Sequence, residues 1–481
     1  MNKEALQPTG WNKNVKTPHT ERRHLFTLPV GTELTPQILK KFMEIHKEDI
    51  KQFNRLESYL DGDLPEMERI APNPLLVVND FAGYITTLSS SYLVGEPVQY
   101  QASKNVDISA ITDAYLQQSI SDLDSELAED CSIYGKAYEM IYADEEANIL
   151  SAKLDVRNTI VIRDNTFRHD MMYAVYFMPV LNENGEIIQD VFDITVLDEV
   201  NTAKYRIKGE SWEELQAPTP HEMGAVPVVE YVNNRRFRGD FEAVIALIDA
   251  YNILQSDRVI DREALVDAIL AFEGVDMDEK TMEEVKEHRV IGLPPDSRAE
   301  YIIKNINEAD ADVLRKTIAS DIHKFAMVPD MSDEKFAGNS TGVALGYKLL
   351  PFEERTQRKE RYFERGLRQR FIIYNNFLHL KNKMETVATS EVDVIFTRGL
   401  PKNDLEMSQI AANYAGLGLV SKTTQSAQIS YVRDAEEEVR LAAEEDEKEL
   451  QRGAGNYGTS DPNEENEDGK PKSNESLDDL E

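Results

Sequence analysis

The stretch 239–262 constrains this chain more than any other. It reads Gly-Asp-Phe-Glu-Ala-Val-Ile-Ala-Leu-Ile-Asp-Ala-Tyr-Asn-Ile-Leu-Gln-Ser-Asp-Arg-Val-Ile-Asp-Arg. Apolar residues recur at Phe241, Val244, Ile245, Ile248, Tyr251 and Leu254, the three-and-four spacing of one helical face. Asp240 follows Gly239, where a side chain can cap the first turn. No proline or glycine interrupts the run before Gly274. The spacing predicts a helix from Asp240 to about Asp267, about 40 Å long at 1.5 Å per residue. Its second half carries Asp257, Arg258, Asp261, Arg262, Glu263 and Asp267. Such a rod cannot bury its own stripe. It needs a neighbouring helix, and its charged flanks need water or complementary charge.

A second rod follows, opened by Asn307 and closed by Pro329, with Leu314, Ile318, Ile322 and Phe325 as its stripe. Between the two lies a small α/β insert. It has strand patterns at 268–272, 290–293 and 300–303 and a short acidic helix over 278–287.

The rest of the chain reads as α+β. Residues 1–34 are polar, with Pro8, Pro18 and Pro29, and read as an extended arm. Helices are predicted over 35–60, 80–94 and 108–134, stopped by Gly62, Gly95 and Gly135. Strands are predicted over 98–100, 136–142, 156–162, 172–180, 191–196 and 202–207, with a turn at 182–185, which suits an antiparallel sheet. After the second rod, 330–341 reads as a loop whose one basic residue is Lys335, with Gly338, Asn339, Ser340 and Thr341 supplying mobility and a helix cap.

A long helix then runs from Thr341 past Phe377, kinked at Pro351. It carries Arg355, Arg358, Lys359, Arg361, Arg365, Arg368 and Arg370, interleaved with Glu353, Glu354, Glu360 and Glu364. That pattern reads as a salt-bridged face ahead of a direct DNA contact. A strand at 391–396 and a helical region over 403–450 follow, and 451–481 is too poor in apolar residues to fold.

Composition sets the function classes. The 481 residues hold enough material for two to four domains. There is no apolar run long enough to span a bilayer and no N-terminal signal pattern, so no membrane role is expected. The one cysteine, Cys131, excludes an intramolecular disulfide and a thiolate metal cluster, and reads as a small buried hydrophobe of a protein made in a reducing cytosol. A net charge of −35 argues against gripping nucleic acid by its phosphates. It is compatible with an acidic wall past which DNA slides, and with keeping a large assembly soluble.

No catalytic chemistry emerges. The glycine-rich run 338–346 lacks the Gly-Lys-Ser/Thr close of a P-loop, and Lys348 is wrongly placed for one. No two of the eight histidines pair on a helix face as zinc ligands do. Asn339-Ser340-Thr341 matches a glycosylation sequon by chance. No enzyme activity, cofactor or metal is expected.

Four phrases carry a resemblance. They are Tyr92-Leu-Val-Gly-Glu-Pro-Val-Gln-Tyr100; the run from Gly224 to Glu242 with Leu247-Ile-Asp-Ala-Tyr-Asn252; the run from Pro329 to Leu350; and Ser421-Lys-Thr-Thr-Gln425 with the run from Val432 to Val439. In this order they resemble the portal proteins of tailed bacteriophages, in the branch of siphophages of Gram-positive hosts, over about residues 35–445. The resemblance implies a portal fold: an α/β wing (35–238), a first stem helix (239–267), a clip (268–306), a second stem helix (307–328), a tunnel loop (329–341), a long wing helix with a strand (342–400) and a helical crown (401–450). The arm 1–34 and the disordered acidic tail 451–481 lie outside it.

The resemblance also implies roles. The chain would form a dodecameric homo-oligomer ring at the capsid portal vertex of the virion, assembled in the host bacterial cytoplasm. Double-stranded DNA would be packaged and ejected through its channel without sequence specificity. Stem packing between subunits would use Phe241, Ile245, Ile248, Tyr251, Leu254, Arg258, Arg262, Leu314, Ile318 and Ile322. The tunnel loop would present Asp330, Ser332, Asp333, Glu334, Lys335, Phe336, Asn339, Ser340 and Thr341 to the DNA. The clip would meet partners through Asp278, Glu279, Glu283, Glu287 and Arg289. Those partners would be the terminase motor, which supplies ATP hydrolysis, and then a head-completion adaptor; major capsid and scaffolding proteins would surround the ring. Two other readings are an enzyme of the packaging apparatus, which ATP hydrolysis or DNA cleavage would reveal, and an unrelated monomeric or dimeric scaffold, which a solution mass would reveal.

Overall fold

The computed structural model describes residues 25–64, 76–103, 106–209, 211–266, 269–273, 298–302, 308–332 and 342–398, and parts of 409–455. The chain divides into two units, Met1–Gly399 and Leu400–Glu481.

The first unit opens with β1 (Phe26–Leu28) and α1 (Pro36–Asp61). Thr35 Oγ1 accepts the Ile38 N–H at 3.4 Å, Pro36 occupies the first helical position, and Gly62 at φ 73° closes the helix. In α2 (Phe81–Val94), Asp80 Oδ1 accepts the Gly83 N–H at 2.6 Å. After β2 (Gln99–Ala102), the helix predicted over 108–134 is two helices, α3 (Ser109–Gln117) and α4 (Ile120–Tyr134). Ser119 takes a left-handed conformation at φ 52° between them. The break frees the Gln118 amide to bond backbone outside the helix. Its Nε2 donates to Ile149 O at 3.1 Å, and its Oε1 accepts the Ser151 N–H at 2.8 Å.

Gly135, at φ 81°, turns the chain into β3 (Lys136–Ala143), followed by β4 (Ile149–Leu154), β5 (Thr159–Asp164), β6 (Met171–Leu181), β7 (Ile187–Leu197), β8 (Asn201–Lys208), β9 (Ser211–Pro220) and β10 (Val228–Val232). One sheet has the order β1-β5-β6-β7-β8-β9, antiparallel throughout except for the parallel β1–β5 pair. A second has the antiparallel order β10-β3-β4. The predicted turn after β6 is held by Asn182 Oδ1, which accepts from Asn184 and Glu186 N–H at 2.9 Å each, with Gly185 at φ 81°.

The two rods are α5 (Ile245–Val266), entered by a 3₁₀ turn over Glu242–Val244, and α6 (Glu308–Ala326). Between them β11 (Ile269–Glu273) pairs antiparallel with β12 (Arg298–Ile302). Then come α7 (Gly342–Leu380), which contains Pro351, and β13 (Val392–Ile395), which returns to pair with β2. The second unit includes α8 (Lys422–Ser426) and α9 (Ala435–Gly455).

Three apolar clusters hold the first unit. One packs Leu39 of α1 against Ile160, Val175 and Ile194 of the large sheet. One joins α1, α2 and both rods. One packs Phe363, Leu367, Phe371 and Tyr374 of α7 against Ile111, Leu127, Cys131 and Tyr231. Cys131 is buried, and burial raises its thiol pKa well above the usual value, the state of an inert small hydrophobe.

Candidate functional site

The stripe that defines the first rod faces the chain's own interior. Phe241, Val244, Ile245, Ile248 and Tyr251 share a core with Ile322 and Ala326 of α6 and with Phe53, Leu56 and Tyr59 of α1. Phe81 of α2 meets Tyr251 edge to face at 5.0 Å between centroids. Among the residues implied for stem packing, Phe241, Ile245, Ile248, Tyr251 and Ile322 therefore find their packing partners within this chain. Leu254 and Ile318 are half-buried, Arg258 is half-buried beside Gln255, and Leu314 and Arg262 are exposed.

The polar side of α5 also bonds the chain's own backbone and side chains. The Tyr59 hydroxyl donates to Asp249 Oδ1 at 2.7 Å, Asn79 N–H to Asn252 Oδ1 at 2.9 Å, and Val77 N–H to Ser256 Oγ at 2.9 Å.

Asp240 corrects the sequence reading most sharply. It does not cap the rod. Its buried carboxylate accepts from Ser132 Oγ at 2.7 Å and Asn233 Nδ2 at 2.7 Å, and pairs with Lys359 and Arg355 of α7. Arg355 also donates to Ala326 O, the last residue of α6. One carboxylate thus ties the entry of α5, the exit of α6 and the first half of α7. Arg355 joins the entry of α5 to the exit of α6, and Tyr251 meets Arg315 further along both, so the two rods run antiparallel.

Burial alone would raise the Asp240 pKa, but Arg355 and Lys359 outweigh it and hold the carboxyl well below the usual range. Burial lowers Lys359, and Asp240 opposes that only in part. Because an arginine stays charged, Asp240 is the ionised partner of at least Arg355.

The loop after α6 leaves from a pinned root. The Tyr84 hydroxyl donates to Pro329 O at 2.7 Å and accepts the Met331 N–H at 3.0 Å. Asp330 Oδ1 accepts Ser332 N–H at 3.0 Å and Ser332 Oγ at 2.6 Å, and lies near His323, with 3.9 Å between Asp330 Oδ2 and His323 Nε2. Asp330 and Ser332 are the described part of the candidate loop. Asp333, Glu334, Lys335, Phe336, Asn339, Ser340 and Thr341 lie outside the described residues. So do Asp278, Glu279, Glu283, Glu287 and Arg289 of the insert.

Most of the basic helix α7 serves ion pairs. Besides the Asp240 group, Arg370 is fully buried between Asp124 at 2.6 Å and Glu139 at 2.8 Å, and the Tyr231 hydroxyl donates to Glu139 at 2.7 Å. Burial raises the Asp124 pKa to about 6 against the opposing pull of Arg370. Arg368 pairs with Glu364 at 2.7 Å, and Glu353 and Glu360 receive Arg398 from beyond β13. Arg358, Arg361 and Arg365 stay exposed.

Sequence reasoning missed the Asp240 and Arg370 groups because their ion-pair partners lie 115 to 246 residues apart. A partial signal was present in Gly239. A Cβ there would lie 2.1 Å from Ile133 O, so the loop must press against the end of α4. Among the described residues no group of three or more His, Cys, Asp or Glu could hold a metal, and no helix is long and apolar enough to cross a membrane.

A family model described as phage portal protein, SPP1 Gp6-like, matches residues 39–452. The portal protein of Bacillus phage SPP1 is 26% identical over 375 residues, covering 74% of this chain and 73% of that protein. The portal protein of Clostridium phage phiCD119 is 22% identical over 392 residues, covering 77% of this chain and 84% of that protein.

Proposed function

The chain belongs to the SPP1 Gp6-like family of phage portal proteins, and from that premise we propose that twelve copies close into a ring around a channel for double-stranded DNA. Portal proteins are structural components of the virion's portal vertex and not enzymes. In this reading α5 and α6 form the stem and the segment 268–306 the clip. Residues 329–341 form the tunnel loop, 35–238 with α7 the wing, and 401–450 the crown.

The observation that carries the reading is the tie at Asp240. It fixes two antiparallel rods to the body at one end and leaves their other end to the small insert. A ring of such rods has a rigid wall with a projecting rim. Because five of the apolar stem residues serve the chain's own core, packing between neighbouring stems falls to Val313, Leu314 and Phe325 on α6 and to Arg258 and Arg262 on α5. A net charge of −35 suits a bore that phosphates do not stick to.

The clip would meet the terminase motor and then a head-completion adaptor, with major capsid and scaffolding proteins around the wing. Electron microscopy of negatively stained, purified protein tests the reading. Rings with a central hole are expected. Compact single particles at every concentration and salt would overturn it.

A further inference from the structure

α4 and α7 each leave one charged stripe uncovered, and the two stripes are complementary. On α7, Arg358, Arg361 and Arg365 are exposed, and among the described residues none has a carboxylate within ion-pair distance, unlike their neighbours on the same helix. Arg365 lies over the ring of Tyr362 at 5.0 Å, which limits its freedom before any partner arrives. On α4, Asp122, Glu126 and Glu129 are exposed. Glu126 reaches Lys153 at 3.5 Å with 57% of its side chain still accessible.

The spacings match in one orientation only. The basic stripe steps three residues and then four; the acidic stripe steps four and then three. Laid antiparallel, Arg365 meets Asp122, Arg361 meets Glu126 and Arg358 meets Glu129, over about 10 Å of each helix. Laid parallel, the middle pair falls out of register.

Both stripes face solvent, so they do not meet within one chain. Two different patches that complement each other make a head-to-tail contact, the kind that closes into a ring. We infer that α7 of one subunit docks antiparallel on α4 of the next through these three charge pairs. The inference rests on the ring proposed above. It commits to a second copy because a chain carrying 88 acidic and 53 basic residues offers each copy an acidic neighbour. DNA phosphates are the competing occupant.

Full-length protein tests it by charge reversal, with rings counted by mass photometry and folding checked by circular dichroism. Arg358→Glu, Arg361→Glu and Arg365→Glu together should raise the concentration for half-assembly at least about tenfold, through like-charge repulsion. Asp122→Lys, Glu126→Lys and Glu129→Lys together should do the same. Combining both sets should restore rings. A second arm pairs Arg361→Cys with Glu126→Cys in the otherwise native chain and expects a ladder of cross-linked oligomers on a non-reducing gel. This arm decides if a reversal variant is unfolded.

Intact rings in both one-sided variants, or no ladder from assembled rings, overturn the inference. If the arginine reversals instead keep rings but lose DNA packaging, the stripe serves phosphates and the inference is also overturned. Wild-type protein that never forms rings counts against the proposed ring itself, which separates the two failures.

Discussion

Asp240 and Asp130 show how one residue type is driven in opposite directions by its surroundings. Asp240 sits between two cations, so its folded pKa is depressed. It contributes stability that is fully present above the unfolded value of about 3.9 and is lost as pH falls through the lower folded value. Asp240→Asn removes the charge that Arg355 and Lys359 need. At neutral pH we expect a loss of about 3–5 kcal/mol in urea unfolding, with the gap from wild type narrowing below about pH 4. A gap that does not change with pH would mean the carboxylate is not the charged member of the group. Asp130 runs the other way. Burial raises its pKa to about 6, with Lys153 at 3.3 Å opposing. The folded state therefore holds its proton more tightly, and stability declines as pH rises from about 4 to 6 and is flat above. Asp130→Asn should remove the Asp130 share of that decline, at most about 3 kcal/mol, and leave the share of Asp124, whose pKa burial also raises to about 6; urea melts across this interval measure it.

The elements show which parts of the structure could be read in advance. Helix ends were legible wherever a local residue sets them: the predicted starts fall at Thr35 and Asp80, which the structure shows to be caps, and Gly62 and Gly135 are left-handed stops. The break between α3 and α4 was not legible. No glycine or proline marks it, and it exists because Gln118 bonds β4, a tertiary demand. β9 escaped notice because it is an edge strand with Pro218 and Pro220 and little apolar alternation. The rods were found from their period, but not the direction in which their stripe is spent, since periodicity cannot distinguish a core of the same chain from a neighbour. Two variants test the joints between elements. Gly239→Ala should cost about 2–4 kcal/mol, because the new methyl would overlap Ile133 O and Ser132 O; a thermal melt reads it. Tyr84→Phe removes both bonds that hold Pro329 and Met331, lowering the local opening free energy there by about 1–2 kcal/mol. Faster hydrogen exchange at the Met331 amide, with global stability nearly unchanged, is the expected result. Unchanged exchange would show that the root is held by Asp330 and His323 instead.

At the scale of the whole molecule, a structural role and a moving role must be carried by different segments. The Asp240 tie, the Arg370 group and the shared core make the rods part of a rigid body, so any part that follows passing DNA has to lie outside them. We propose residues 334–339 for that part, on chain order alone: they join the root pinned by Tyr84 to the start of α7. Removing these six residues deletes none of the Asp240, Arg370 or core partners described above. Ring assembly should therefore survive the deletion at the wild-type concentration, as mass photometry can measure. Packaging or retention of DNA in phage carrying the deletion should fall, since an acidic bore of the proposed kind would repel phosphates and not hold them. A deletion that forms rings and packages normally would remove the segment from the DNA path. One that fails to form rings would make it part of the subunit contact instead.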